Sequence, residues 1–143
     1  MKLYLDTSSL FKLYHSESGT EEMDAIFSDN NITDIFLSEI TNVEFISAVF
    51  KKVRMKELSM KDAKQMIKLF DNDLKKYTIV PVSSVTLESA TFLILRYGQD
   101  GLRTLDALQL ASAIEVKDMV NKYITSDKLL LSLFKKEYLP IQS

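Results

Sequence analysis

The chain of 143 residues contains no cysteine, no tryptophan and one histidine, and it has only 3 glycines and 2 prolines. The lack of cysteine excludes disulfides, thiolate nucleophiles and Cys-based zinc centres, and permits a reducing compartment. With His15 as the single imidazole, metal ligation and proton transfer must fall mainly to oxygen groups. The scarcity of Gly and Pro leaves no linker, and there is no low-complexity stretch or fixed-period repeat, so residues 1–143 are expected to form a single domain. No apolar run approaches the roughly 18 residues of a membrane span. The opening Met1-Lys2-Leu3-Tyr4-Leu5-Asp6 meets a carboxylate after three apolar positions, too early for the core of a secretory signal. The expectation is a soluble, cytoplasmic protein without a membrane partner.

Charge is present in both signs but unevenly placed. Residues 1–50 carry 2 Lys and 9 Asp/Glu, a balance of −7; residues 51–76 carry 9 Lys/Arg and 4 Asp/Glu, a balance of +5; the remainder carries 7 of each. The chain therefore has an acidic front and a basic middle. Lys51, Lys52, Arg54 and Lys56, then Lys61, Lys64 and Lys68, are candidate guides for a phosphate backbone. The ordinary alternative is a solvated helix face with lysines at helical spacing.

Periodicity places the elements. Lys2–Leu5 reads as a short buried strand, and Asp6-Thr7-Ser8-Ser9 starts a helix over Leu10, Phe11, Leu13 and Tyr14. Residues 20–28 predict a second helix and 34–38 a second strand. Ile40, Val43, Ile46, Val49 or Phe50, and Val53 recur at helical intervals. A lysine-rich amphipathic helix follows over 59–76. Residues 77–82 have strand composition, with Pro81 marking an edge or an end. A helix over 85–97 and a turn-rich loop lead to a nearly all-apolar helix over 104–114. Lys122–Thr125 reads as the last inner strand, Ser126-Asp127 opens a short helix through Phe134, and 138–141 suggests an edge strand. This alternation predicts a three-layer α/β/α sandwich around a mainly parallel sheet of four to five strands. Phe45, Phe50, Phe92 and Tyr97 fall at apolar helical positions and are read as core rather than as platforms for bases. His15, near the end of the first helix, is read as a surface or partly packed residue without a catalytic role.

Four acids stand out from this frame. Asp6 and Asp127 directly follow strands, where open parallel sheets gather ligands. Asp106 lies in the first turn of the buried helix among Leu105, Leu108 and Leu110, where a charge is costly unless paired; Thr104 is the better N-cap there. Glu44 lies about two turns into its helix, between Val43 and Phe45. Each has a plainer role available, capping for Asp6 and Asp127 and simple exposure for Glu44. If the four share one crevice their repulsion calls for protonation or a cation, and all-oxygen ligands favour Mg²⁺ or Mn²⁺.

Taken together, Leu5-Asp6-Thr7-Ser8-Ser9-Leu10, Ser38-Glu39-Ile40-Thr41-Asn42-Val43-Glu44, Arg103-Thr104-Leu105-Asp106-Ala107-Leu108-Gln109-Leu110-Ala111 and Ile124-Thr125-Ser126-Asp127 resemble, in order, the motifs of the PIN-domain nucleases, and more closely of VapC-like toxins from toxin–antitoxin pairs. The resemblance implies a PIN-like fold and a metal-dependent endoribonuclease, with Asp6, Glu44, Asp106 and Asp127 as metal-holding and catalytic acids for Mg²⁺ or Mn²⁺. It implies that the Ser8 hydroxyl supports this set; beside it, Arg103 and Arg96 are candidates for the rim. It further implies an RNA substrate, a cognate antitoxin whose segment covers the site and can insert a basic side chain, and a homodimer. An aspartyl-phosphate phosphatase would want an acid where Ser8 stands, and a receiver domain a second acid beside Asp6. The competing reading from another class is a catalytically silent PIN-fold module that grips RNA or protein.

Overall fold

Four short runs rich in β-branched and aromatic residues form strands β1 (Lys2–Leu5), β2 (Asp34–Ser38), β3 (Thr78–Val80) and β4 (Lys122–Ile124), in a computed structural model that describes residues 1–15, 20–29 and 31–142. They make one sheet in the order β3-β2-β1-β4, with every pairing parallel. Strand order reverses at β1: the chain steps outward through β2 and β3 and then returns to lay β4 on the other flank. Such a switch opens a crevice beyond the carboxyl end of the central strand, and Asp6 follows β1 directly.

The helices among the described residues are α1 (Thr7–Phe11), α2 (Thr20–Asp29), α3 (Ile40–Arg54), α4 (Met60–Asp73), α5 (Ser84–Tyr97), α6 (Thr104–Glu115) and α7 (Lys128–Lys136). Side chains alternate across a strand, so Leu3, Leu5 and Leu37 face one core with Leu10, Phe11, Phe45, Val49, Met66 and Phe70 from the first half of the chain. Tyr4 and Phe36 face the opposite core with Leu93, Leu110, Leu133 and Phe134 from the second half. The result is the expected three-layer sandwich around a parallel sheet. Across it, Ser38 and Ser112 join β2 to α6 through a buried hydroxyl pair 2.8 Å apart.

Several local expectations shift. The expected strand over 138–141 is reduced to a single bridge between Ile141 and Tyr123, and β3 is an edge strand that stops just before Pro81. Thr104 is not the N-cap of α6: the first turn closes on Arg103, whose carbonyl accepts from Ala107 N–H at 2.8 Å. Gly101, at φ 104°, makes the turn into that helix in a left-handed conformation that a side chain would strain. Phe50 and Phe92 are not core residues, being 39% and 60% exposed. Val49 takes the inward position on α3, and Ala90, Leu93 and Tyr97 take the inward stripe of α5, which turns Phe92 outward. No helix among the described residues is long and apolar enough to cross a membrane.

Candidate active site

The site begins where β1 ends. Asp6 has extended backbone and caps α1, with Oδ1 accepting the Ser9 N–H at 3.0 Å. The Ser8 hydroxyl lies 2.9 and 2.8 Å from the two carboxylate oxygens, and the Thr125 hydroxyl, at the end of β4, donates to Oδ2 at 2.5 Å. The capping role therefore falls on Asp6, and Ser8 hydrogen-bonds the same carboxylate. Burial pushes the Asp6 carboxyl above its ordinary pKa, while the Thr125, Ser9 and Ser8 donors pull the other way.

The β4 end is tied to the same point. Thr125 Oγ1 accepts the Asp127 N–H at 3.0 Å, and the Ser126 N–H donates to Ser8 Oγ at 3.1 Å. Asp127 caps α7 through the Leu130 N–H at 2.7 Å.

Glu44 is the fifth residue of α3 and so about one turn into it, not two, because the helix starts at Ile40. It is half-buried, and its Oε1 accepts the Thr7 hydroxyl at 2.9 Å and Gln109 Nε2 at 2.7 Å. Burial raises its pKa most; Gln109 and Thr7 oppose that, and repulsion from Asp106 and Asp6 adds to it. Asp106, in the first turn of α6, is raised by burial and then by Asp127, with Arg103 acting against both.

Glu44 and Asp106 line one cleft of about 310 Å³ together with Arg103, Thr104 and Leu105. Asp6 and Asp127 are not on its wall, but Asp6 acts electrostatically on Glu44, and Asp127 on Asp106. Among the described residues, no three Asp, Glu or His side chains stand close enough to form a ligand set by themselves. None of the four acids belongs to an ion pair among those residues either. Oxygen donors that repel one another and lack a contacting cation fit a hard divalent ion, which keeps much of its water and uses only one or two carboxylates.

The basic residues divide. Arg103 is at the cleft. Arg96 does not line the cleft: in the last turn of α5, it donates to Glu137 at 3.0 Å. Lys51 and Lys52 line a neighbouring depression with Thr7 and Ser8, and Lys52 also pairs with Glu57 at 2.9 Å. Lys64 and Lys68 line a groove between α3 and α4, and Arg54, Lys56 and Lys61 are exposed. His15 packs its ring against Phe11, 5.5 Å between centroids, and does not line the cleft.

Sequence reading passed over Thr7, Thr41, Gln109 and Thr125, the neutral groups that contact Asp6 and Glu44 or one another. A signal was available for Gln109, which is a lone amide in an apolar helix three residues after Asp106, on the same face. Thr125 stands two residues before Asp127 at a strand end. Nothing in composition marks Thr7 or Thr41.

The sequence matches the PIN domain family over residues 3–133, and the chain belongs to that family. Solved structures share the fold at low identity. FitAcB from Neisseria gonorrhoeae is 16% identical, with 99% of this chain and 96% of that chain covered and a TM-score of 0.73. VapC20 from Mycobacterium tuberculosis, a Sarcin-Ricin loop cleaving toxin, is 13% identical over 92% and 94%, with a TM-score of 0.70. VapBC2 from Rickettsia felis, bound to a DNA fragment from their promoter, is 21% identical over 99% and 98%, with a TM-score of 0.64. No curated protein matches the sequence.

Proposed function

We propose that the chain is a Mg²⁺- or Mn²⁺-dependent endoribonuclease, the toxin of a toxin–antitoxin pair, in which Asp6, Glu44, Asp106 and Asp127 form the acidic site. The observation that carries this reading is that Glu44 and Asp106 line one cleft, with Asp6 acting on the first and Asp127 on the second, and that neither belongs to an ion pair among the described residues. When bound, the divalent ion makes water easier to deprotonate and stabilises charge on the phosphoryl and leaving oxygens. The protein's own groups do the rest. Glu44 and Asp106 bind and orient from the lining of the cleft, Asp6 and Asp127 deepen the negative potential, and Arg103 meets the phosphate that enters the cleft. Lys51 and Lys52, beside Thr7 and Ser8, guide the flanking backbone that the acids repel.

A cognate antitoxin is the expected partner, with a basic side chain standing in for the cation. The toxin–antitoxin complexes among the structural neighbours support this. Val85, Phe92 and Leu95, exposed and spaced to share one face of α5, support a homodimer. The cytoplasm, where RNA is met, is the proposed location.

The direct test is cleavage of a mixed RNA pool by the purified chain with Mn²⁺ or with chelator. Cleavage that depends on Mn²⁺ and vanishes in Asp106→Asn is the expected result. Intact RNA with excess cation would leave the silent binding module as the better account.

A further inference from the structure

Gln109 and Ser112 are the polar side chains buried within α6, and Gln109 is 2% exposed. A leucine there would complete an apolar helix, and a buried amide is costly unless every group is bonded. Here each group is engaged. Oε1 accepts the Tyr4 hydroxyl at 2.8 Å. Nε2 lies 2.7 Å from Glu44 Oε1, 2.9 Å from Thr41 Oγ1 and 3.1 Å from Thr7 Oγ1.

The orientation of the amide follows from its neighbours. Tyr4, fully buried, has one hydroxyl hydrogen and gives it to the Gln109 oxygen, with the Gln109 carbonyl a longer second acceptor at 3.2 Å. Turning the amide over would set its oxygen against the Glu44 carboxylate, acceptor against acceptor, and would cancel the Tyr4 bond. Both donors to Glu44, Thr7 and Gln109, reach the same oxygen, Oε1. Among the described residues none donates to Oε2, on a side chain that lines the cleft.

We propose that Gln109, held by Tyr4, is a positioning residue that clamps one oxygen of Glu44 and thereby leaves the other, Oε2, free for a divalent cation in the cleft. This rests on the acidic-site reading above. Groups that fix a metal-binding carboxylate from behind typically govern affinity by about 10–100-fold.

The test is calorimetric titration of Mn²⁺ into the purified chain, read alongside RNA cleavage. Gln109→Met should weaken Mn²⁺ binding about 10–100-fold, and Tyr4→Phe should weaken it in the same direction by less. Ser112→Ala is the control: it removes a buried hydroxyl one turn along the same helix whose partner is Ser38 and not an acid, and it should leave Mn²⁺ affinity unchanged. In a Glu44→Gln background, Gln109→Met should have no further effect. Wild-type affinity in folded Gln109→Met, or an equal loss in Ser112→Ala, would overturn the positioning role. If Gln109→Met fails to fold, unchanged affinity in Tyr4→Phe overturns it instead. A wild-type chain that takes up no Mn²⁺ overturns the acidic site itself, whereas normal wild-type uptake with unaltered variants overturns only the clamp.

Discussion

Asp6 is both a helix cap and a buried charge, and two substitutions separate those roles. In Asp6→Asn the side-chain oxygen can still accept from Ser9 N–H and Ser8, and Asn caps helices about as well as Asp. The new amide faces Thr125 Oγ1, whose hydroxyl can turn to accept from it. Burial already disfavours the charged form, so neutralisation removes a penalty at the same time as it weakens the donors' bonds. Asp6→Asn should therefore hold stability within about 1 kcal/mol of wild type in chelator, by the capping equivalence. Asp6→Ala loses the cap, about 1 kcal/mol, and leaves buried donors without an acceptor, about 1–3 kcal/mol more. The gap between the variants should be about 2 kcal/mol or larger, roughly 8 °C in melting temperature for a chain of this size. Thermal melts in chelator read that gap, and melts with Mn²⁺ read the site: wild type should gain about 2.7 kcal/mol at a hundredfold excess over Kd, and neither variant should. Equal destabilisation of Asn and Ala would refute the capping argument, and a full Mn²⁺ gain in Asp6→Asn would refute the charge argument.

Asp106→Asn should abolish RNA cleavage with little change in melting temperature in chelator, since Asp106 caps nothing; a cleaving Asp106→Asn would remove it from the mechanism. Raised carboxylates bind protons in the folded state that the unfolded state has released, so stability in chelator should fall as pH rises from about 4 toward neutrality, and the Mn²⁺ gain should be larger near pH 7.5 than near pH 5. Melts at both pH values, with and without Mn²⁺, check the sign, and a gain independent of pH would contradict it. Leu95→Lys should convert a homodimer into a folded monomer in sedimentation velocity, because Leu95 is 77% exposed in the single chain, with a melt that no longer depends on protein concentration; an unchanged sedimentation coefficient would place any dimer contact elsewhere. Gly101→Ala, which forces a side chain into a left-handed turn, should cost about 1–2 kcal/mol, read by urea unfolding.

Much of the fold was legible because its signals are local. The short apolar runs of β1 and β2, buried on both faces, and the 3.6-residue stripes of α3, α4 and α5 are set by which faces meet the two cores, and those patterns are written in the chain. The misplaced residues mark where locality ends. Phe50 competes with Val49 for one inward position, and only the packing of α3 against β2 and α4 decides between them. The Thr104 cap was lost to the turn at Gly101, which delivers Arg103 in extended conformation. At the candidate site, the acids could be picked out by their awkward surroundings, but their partners could not. Tyr4, Thr7, Thr41 and Gln109 come from separate elements, and an ordinary threonine or glutamine acquires its role only when the sheet brings those elements together.

The neutrality of those partners has a physical meaning. Asp6 is held by Ser8, Ser9 and Thr125, Glu44 by Thr7 and Gln109, and Asp127 by a backbone N–H, so among the described residues every bond these carboxylates accept comes from a group without formal charge. The ion pairs among the described residues lie elsewhere, at Lys52–Glu57, Lys76–Asp73, Arg96–Glu137 and Lys136–Asp100. Neutral donors stabilise a carboxylate and fix its geometry while leaving its negative potential in place. A lysine in the same position would satisfy the acid and cancel the field that draws a cation in. Arg103 follows the same pattern, since it moderates Asp106 from the cleft wall without closing an ion pair among the described residues. An introduced cation, such as Thr7→Lys beside Glu44, should therefore abolish Mn²⁺ uptake even though it adds a favourable charge pair, and uptake that survives it would mean that the field of these acids is not what holds the ion.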